Sequence, residues 1–216
     1  VGYDVNDLMA FAAVMRRRPQ LHLISDDIYE HLVYDDFKFV TMATIAPDLQ
    51  DRILTVNGVS KSYCMTGWRI GYGSGPVPLI KAMAKVQSQS TSSPNSIAQY
   101  AAIAALDGPL DFMAENRAAF SRRRQFVCEA LNEIDGIDCP LPDGAFYIYP
   151  SIAKLIGKKR PDGKIIESDS DFVRYLLEAG EVAVVPGVAF GLSPYFRISY
   201  AAADDVLADA MQRISK

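Results

Sequence analysis

The chain has 216 residues, half of them hydrophobic, which is enough to bury one large core or two small ones. Its net charge of −4 argues against a general affinity for nucleic acid, and the basic runs 16–18 and 122–124 are interpreted as solvated helix faces. No apolar run approaches the roughly 20 residues of a membrane span. The three scattered cysteines have neither disulfide-framework nor metal-ligand spacing, which predicts a cytoplasmic protein without a metal site.

Helix and strand patterns alternate in the first part of the chain. Apolar residues at helical spacing predict a helix over residues 5–17, with Asp4 as its N-cap. Short apolar runs predict buried strands at 21–25, 52–56 and 68–73. Because these strands are continuously apolar, they predict an α/β fold with a mainly parallel, helix-covered sheet.

Helical patterns follow the third predicted strand, and the pattern then changes to short strands mixed with helices. One helical region begins at Pro78, breaks at the polar stretch 87–95 and resumes, and a further helix extends from Pro109 to Leu131. From Asp135 onward the pattern is that of a small α+β domain. Its predicted strands are 146–149, 182–185 and 195–199, and its predicted helices are 170–179 and 202–214. The predicted domains are therefore residues 1–130 and 131–216.

A lysine, Lys61, stands alone in a stretch rich in glycine and serine. A phosphate-binding P-loop is one interpretation, but the pattern G-x-x-x-x-G-K-[ST] is not met. An ordinary surface lysine is the second. The third is a lysine that forms a Schiff base, which reacts in its neutral form and is favoured by desolvating neighbours or a nearby cation. Apolar neighbours such as Val59 and Trp68, together with Arg69, make the third interpretation possible.

Five motifs occur in a fixed order along the chain. They are D-x-x-Y at 26–29, S-K with M-T-G-W-R-I-G-Y at 60–72, P-x-G-x-F-Y at 142–147, P-G-x-x-F-G at 186–191 and F-R-x-S at 196–199. The set resembles that of class I and II aminotransferases, pyridoxal-phosphate enzymes of fold type I. The resemblance covers nearly the whole chain. It implies the C-terminal part of a mainly parallel large-domain sheet, followed by a small α+β domain.

The resemblance also implies roles for the residues around Lys61. Lys61 would carry the pyridoxal-phosphate Schiff base and move protons, and Asp26 would keep the cofactor's ring nitrogen protonated. Tyr29 would hydrogen-bond the cofactor's phenolic oxygen. Arg69 would bind its phosphate, with Ser60 as a further donor. The competing interpretations are a helix cap for Asp26 and a core tyrosine for Tyr29.

Two further positions bear on the substrate and on the phosphate site. By resemblance, Arg197 would bind the substrate's α-carboxylate as a bidentate pair, whereas the alternative is a surface arginine at a strand end. Family members often carry a serine three residues before the lysine, and here that residue is Gly58. Gly187 and Gly191 are expected to adopt positive φ.

The function implied is that of an aminotransferase moving an amino group from an amino acid, most simply aspartate, to a 2-oxo acid. A pyridoxal-phosphate lyase of the same fold and a non-catalytic cofactor-binding domain of a regulator stay open as alternatives. The polar stretch 87–95 resembles a segment near the family's dimer interface, which implies a homodimer. Nothing implies a nucleic-acid or membrane partner.

Several parts of the family's cofactor site have no counterpart in this sequence. They are the phosphate loop, the ring-stacking aromatic residue and the N-P-x-G asparagine, which in the family come from an earlier part of the chain. We therefore expect the 216-residue chain alone to be inactive. We also expect its incomplete sheet to expose an edge and an apolar face.

Overall fold

The computed structural model describes residues 2–216, and the chain forms two compact units. The first unit ends at Arg117, and the second comprises Ala118–Lys216. This division falls inside a long helix, Asp111–Asn132, and the domain boundary predicted after residue 130 lies further along the same helix.

The helices of the first unit follow the predicted pattern except for the short helix Met42–Ile45, which the sequence does not predict. They are α1 (Val5–Arg17), α2 (Met42–Ile45), α3 (Val77–Ser90) and α4 (Ser96–Asp107), followed by α5 (Asp111–Asn132). The Asp4 carboxylate accepts hydrogen bonds from the Asn6 and Asp7 amides at 2.7 and 2.9 Å. The Asp7 side chain in turn accepts from the Asp4 amide at 3.1 Å. This reciprocal pair is a capping box, and it confirms both the predicted helix and its N-cap.

Three strands form the sheet of the first unit, in the order β1 (Leu23–Asp26), β2 (Ile53–Gly58) and β3 (Gly71–Ser74). The β1 and β2 strands are parallel, but β2 and β3 are antiparallel. The prediction of a mainly parallel sheet is therefore wrong for the second pair. The reason is the connection 59–70, which holds only turns and lacks the helical crossover that usually joins parallel strands.

The third strand also begins later than predicted. Residues Thr66–Trp68 form a 3-10 turn, and Arg69 after them is left-handed, with φ of 52°. An extended strand is therefore possible only from Gly71, and not from Trp68.

One hydrophobic cluster of the first unit packs α1 and α2 against β2. Seven buried residues form it: Leu8, Ala12, Met15, Met42, Ala46, Leu49 and Ile53. Neighbouring side chains on a strand point to opposite faces, and Ile24 of β1 is 72% exposed. Leu54, the in-register partner of Ile24 on β2, is only 7% exposed, so this face of the sheet is covered in part.

The second unit has three short antiparallel strands and two further helices. The strands are β4 (Tyr147–Ile148), β5 (Val185–Pro186) and β6 (Phe196–Ser199), in the order β4-β6-β5, and the helices are α6 (Asp169–Gly180) and α7 (Asp204–Ile214). The helices and the strands β4 and β6 correspond to predicted elements, with shorter strands, whereas β5 overlaps the predicted strand 182–185 only at Val185. Their core includes Val127 and Leu131 of α5, with Phe196 and Tyr200.

One arginine of the second unit contradicts its sequence interpretation. Arg124, for which the sequence predicts a solvated helix face, is only 2% exposed. It donates a hydrogen bond to the Pro142 carbonyl at 2.9 Å, so it fastens the turn that leads into β4. Among the described residues, no helix combines the length and apolar character that crossing a membrane requires.

Candidate active site

Two neighbouring aspartates follow one another at the end of β1, and the structure separates their roles. Asp27 is 7% exposed, donates its amide to the Val56 carbonyl at 2.9 Å and accepts from the Ser25 hydroxyl at 2.7 Å. Asp26 is exposed, and its carboxylate accepts from the Ile28 amide at 3.3 Å. Neither caps an α-helix, because residues 28–31 form a turn. Asp27 therefore fastens β1 to β2, whereas the Asp26 carboxylate faces outward.

The turn that carries Tyr29 is fixed to the end of β2. The Glu30 carboxylate accepts a hydrogen bond from the Asn57 side-chain amide at 2.7 Å. The His31 ring also meets the Tyr63 ring edge-on, with centroids 6.2 Å apart. Burial and, secondarily, the charge of Glu30 raise the pKa of Tyr63 above that of a free tyrosine. Half-buried Tyr29 is thus held beside the loop that follows β2.

That loop, residues 59–70, carries Ser60 and Lys61. Val59 is fully buried and packs with Ile70 against Ala98 and Ala102 of α4. Tyr63 and Met65 join the same cluster, whereas Trp68 is 45% exposed and does not shield the loop as the sequence suggested. The apolar ends of the loop anchor it, and half-buried Lys61 lies in the turn between them.

Arg69 leaves the loop in a conformation that is uncommon for its residue type. Its φ and ψ are 52° and 46°, in the left-handed region that bulky side chains rarely adopt. The exposed guanidinium donates to the Thr66 carbonyl at 2.9 Å, which limits its orientation. Two residues later Gly71 pairs with Gly58, so Arg69 returns to the edge from which the loop departed.

The absence of a side chain at Gly58 is explained by close packing. A Cβ atom at this position would lie 3.1 Å from both the Gly71 Cα and the Ile70 carbonyl oxygen. The serine that family members often carry three residues before the lysine would therefore require the backbone of β3 to move. The glycine reflects the close approach of the two antiparallel strands.

Five of the predicted site residues thus belong to one edge of the first unit's sheet. They are Asp26, Tyr29, Ser60, Lys61 and Arg69. Parallel strands end at the same edge, so the carboxyl ends of β1 and β2 bring Asp26 and the loop 59–70 together. In open α/β sheets this edge is where ligands bind.

Arg197, the sixth predicted residue, lies on β6 in the second unit. It is half-buried, and its guanidinium carbon is 4.5 Å from the centre of the Tyr147 ring and 4.2 Å from that of Phe190. Contacts of this length are cation–π interactions, which orient the flat guanidinium. A solvated arginine at a strand end does not have this environment.

The loop after β5 corrects one expectation and adds one residue. Gly191 has positive φ as expected, 74°, but Gly187 does not. Gly187 is needed for space, since a Cβ there would be 2.1 Å from the Leu192 carbonyl oxygen. Sequence reasoning missed Asp169, which is 1% exposed and accepts from the Val188 amide at 2.8 Å. Its only sequence signal was its place at the start of a helix.

Comparison with known proteins gives consistent matches over almost the whole chain. Residues 2–214 match the family model described as aminotransferase class I and II. The aspartate/prephenate aminotransferase of Cereibacter sphaeroides is 59% identical over 213 residues, which are 99% of this chain and 53% of that protein. The aspartate aminotransferase of Rhizobium meliloti is 56% identical over 214 residues, 99% of this chain and 52% of that protein.

Solved structures agree with the sequence comparison. The crystal structure of the Rhizobium meliloti aspartate aminotransferase has a TM-score of 0.96 and 55% identity, covering 100% of this chain and 54% of that one. The aromatic aminotransferase of Pyrococcus horikoshii has a TM-score of 0.85 and 37% identity, and the match covers 97% of this chain and 54% of that one. The fold is thus that of fold type I aminotransferases, with mixed α/β content. The chain spans about half the length of the curated relatives it matches.

Proposed function

Because this chain belongs to the aminotransferase class I and II family, we propose that the protein carrying it moves an amino group from aspartate to a 2-oxo acid, with pyridoxal phosphate as cofactor. The observation that carries the proposal is the shared edge of β1 and β2, where Asp26 and the Lys61 loop adjoin. Similarity to the Rhizobium meliloti aspartate aminotransferase supports aspartate as the amino donor.

The groups at this edge fit the chemistry of pyridoxal phosphate. The exposed Asp26 carboxylate suits a protonated ring nitrogen, because a negative charge at short range favours the protonated form. The Tyr29 hydroxyl would donate to the phenolic oxygen. The Arg69 guanidinium and the Ser60 hydroxyl would bind the phosphate, and Lys61 would hold the cofactor covalently. When bound, the cofactor supplies an electron sink for bond breaking at the substrate's Cα.

Two of the chain's own residues would then act on the substrate. The Lys61 amine, once free, would take the proton from the substrate's Cα as a general base and deliver it to the C4′ carbon of the cofactor as a general acid. Arg197 binds the α-carboxylate with its planar guanidinium, whose contacts with Tyr147 and Phe190 hold it oriented before the substrate arrives. Orientation in advance lowers the entropy cost of binding.

A second candidate reaction uses the same donor with another acceptor. The Cereibacter sphaeroides relative is named as an aspartate/prephenate aminotransferase, and it is 59% identical to this chain. That similarity favours prephenate as an alternative amino acceptor. Measuring initial rates with prephenate and with 2-oxoglutarate as competing acceptors decides which acceptor is preferred.

The assembly and location of the protein form part of the same proposal. Residues 1–130 belong to the cofactor-binding domain and 131–216 to a small domain, which is supported by the presence of Asp26, Lys61 and Arg69 in the first unit. The protein is a homodimer, which is supported by exposed apolar side chains on α4. Among them, Ile97 is 69% exposed and Tyr100 is 76% exposed. Three unpaired cysteines support a cytoplasmic location.

Replacing the lysine tests the proposed activity. In the full-length protein, we expect Lys61→Ala to lower the rate of amino transfer from aspartate by about 10²- to 10⁴-fold or more, the range that a positioned acid–base group contributes. Lys81→Ala, which removes an exposed lysine of α3, is the matched control and should keep the wild-type rate. Equal rates for both variants would contradict the proposal. Chromatography of the products separates transfer, which gives a new amino acid, from a lyase reaction.

A further inference from the structure

The orientation of Arg197 depends on a neighbour that lies on a loop. The Phe190 ring belongs to the 3-10 turn Gly187–Phe190, and its centre is 4.2 Å from the Arg197 guanidinium carbon. Arg197 itself is fixed at its backbone by pairing with Val185. The free end of its side chain is therefore positioned by the Tyr147 ring of β4 and by whatever fixes this turn.

A buried carboxylate at the start of α6 accepts a hydrogen bond from this turn. Asp169, the first residue of α6, is 1% exposed, and its Oδ2 accepts from the Val188 amide at 2.8 Å. Val188 precedes Phe190 by two residues in the same turn. Burying a carboxylate is costly unless it is hydrogen-bonded, and a helix N-terminus is a favourable place for a negative charge. Both conditions are met here.

Capping of α6 does not account for this carboxylate. The cap is Ser168, whose hydroxyl accepts from the Asp171 amide at 3.2 Å. The neighbouring Asp171 accepts from the Ser168 hydroxyl at 2.9 Å, so the polar groups of the helix start are paired without Asp169. The Asp169 side chain instead reaches a residue 19 positions away in the sequence.

The two ends of the turn are held by other groups. The Gly187 amide donates to the Tyr195 carbonyl at 2.7 Å, and the Tyr149 hydroxyl donates to the Gly187 and Leu192 carbonyls at 3.0 and 3.1 Å. These bonds fix the entry and exit of the loop. The bond from Val188 to Asp169 fixes its middle, next to the residue that contacts Arg197.

We propose that Asp169 is a positioning residue for the substrate-binding arginine: it fixes the Val188 amide, and through it the Phe190 ring that orients Arg197. The inference rests on the proposed function, since it takes Arg197 as the group that binds the substrate's α-carboxylate. It assigns to Asp169 an effect on substrate affinity rather than on the proton transfers at Lys61.

Three single variants of the full-length protein, with cofactor bound, test this role. In Asp169→Ala the acceptor is lost, and we expect KM for aspartate and for 2-oxoglutarate to rise by about tenfold, with kcat changed much less. In Asp169→Asn the amide oxygen can still accept from Val188, so KM should return most of the way to the wild-type value. Asp171→Ala removes a first-turn carboxylate of the same helix that lies outside the loop contact, and KM should stay unchanged.

Coupling to the aromatic ring distinguishes positioning from a loss of folding. Phe190→Leu should raise KM, and adding Asp169→Ala to it should raise KM no further, because both changes act through the same contact. Additive effects in the double variant, an unchanged KM in Asp169→Ala, or an equal rise in Asp171→Ala would overturn the proposal.

A binding measurement keeps this test separate from the proposed function. Succinate is a dicarboxylate without an amino group, so its dissociation constant can be measured by calorimetry whether or not the protein turns over aspartate. We expect Asp169→Ala to weaken succinate binding by about tenfold, the same factor as KM. If the wild-type protein fails to transfer the amino group of aspartate, the proposed function fails. If succinate binds the wild type and Asp169→Ala equally, the role of Asp169 fails.

Discussion

Arg197 illustrates how much the surroundings of a single residue add to its charge. Its guanidinium carbon lies within 4.5 Å of the centres of two aromatic rings, Tyr147 and Phe190. A lysine at this position would keep the positive charge, but it would lose the planar fork and the broad contact with the rings. The residue type, rather than the charge alone, therefore matters here.

From this geometry we expect Arg197→Lys to lower kcat/KM for aspartate by about 10- to 100-fold, which corresponds to the loss of about 1.5–3 kcal/mol that a hydrogen bond to a charged group contributes. Steady-state kinetics of the full-length protein measure the change. Arg174→Lys, an exposed position on α6, is the control. An Arg197→Lys variant with the kinetics of that control would show that the planar guanidinium has no part in binding.

At the scale of single elements, α1 shows that a local sequence signal can be sufficient to predict where a helix begins. Asp4 and Asp7 form the capping box, and both are within three residues of the helix start. We expect Asp4→Ala to reduce the free energy of unfolding by about 1 kcal/mol, because the first amides of α1 lose their acceptor. Urea unfolding followed by circular dichroism measures this. Asp36→Ala, at an exposed loop position, should leave the midpoint unchanged, and equal midpoints for both variants would contradict the capping role.

The elements that sequence reasoning placed correctly are those specified by local patterns. The helix 5–17 and the strands β1 and β2 follow from periodicity and short apolar runs. The start and direction of β3 do not, because they depend on the turn Thr66–Trp68 and on pairing with a strand more than ten residues away. The glycines of that stretch are compatible with either a turn or a strand.

At the scale of the whole molecule, the candidate site follows the same division between local and long-range information. Motifs located Asp26, Lys61 and Arg197, because each has a recognisable neighbourhood in the sequence. The contacts that fix the neighbouring turns were not predictable, since the bond from Asn57 to Glu30 spans 27 positions and that from Val188 to Asp169 spans 19. Such partners are set by tertiary packing, which the motifs do not encode.

The central claim is that Lys61 is the residue that holds the cofactor. The most direct measurement is to add pyridoxal phosphate to the full-length protein, reduce with borohydride and identify the modified lysine by mass spectrometry. We predict a single modified site, Lys61, with the exposed lysines of α3, Lys81 and Lys85, unmodified. Modification spread over surface lysines, with Lys61 no more labelled than the rest, would contradict the claim and leave the loop 59–70 a purely structural connection.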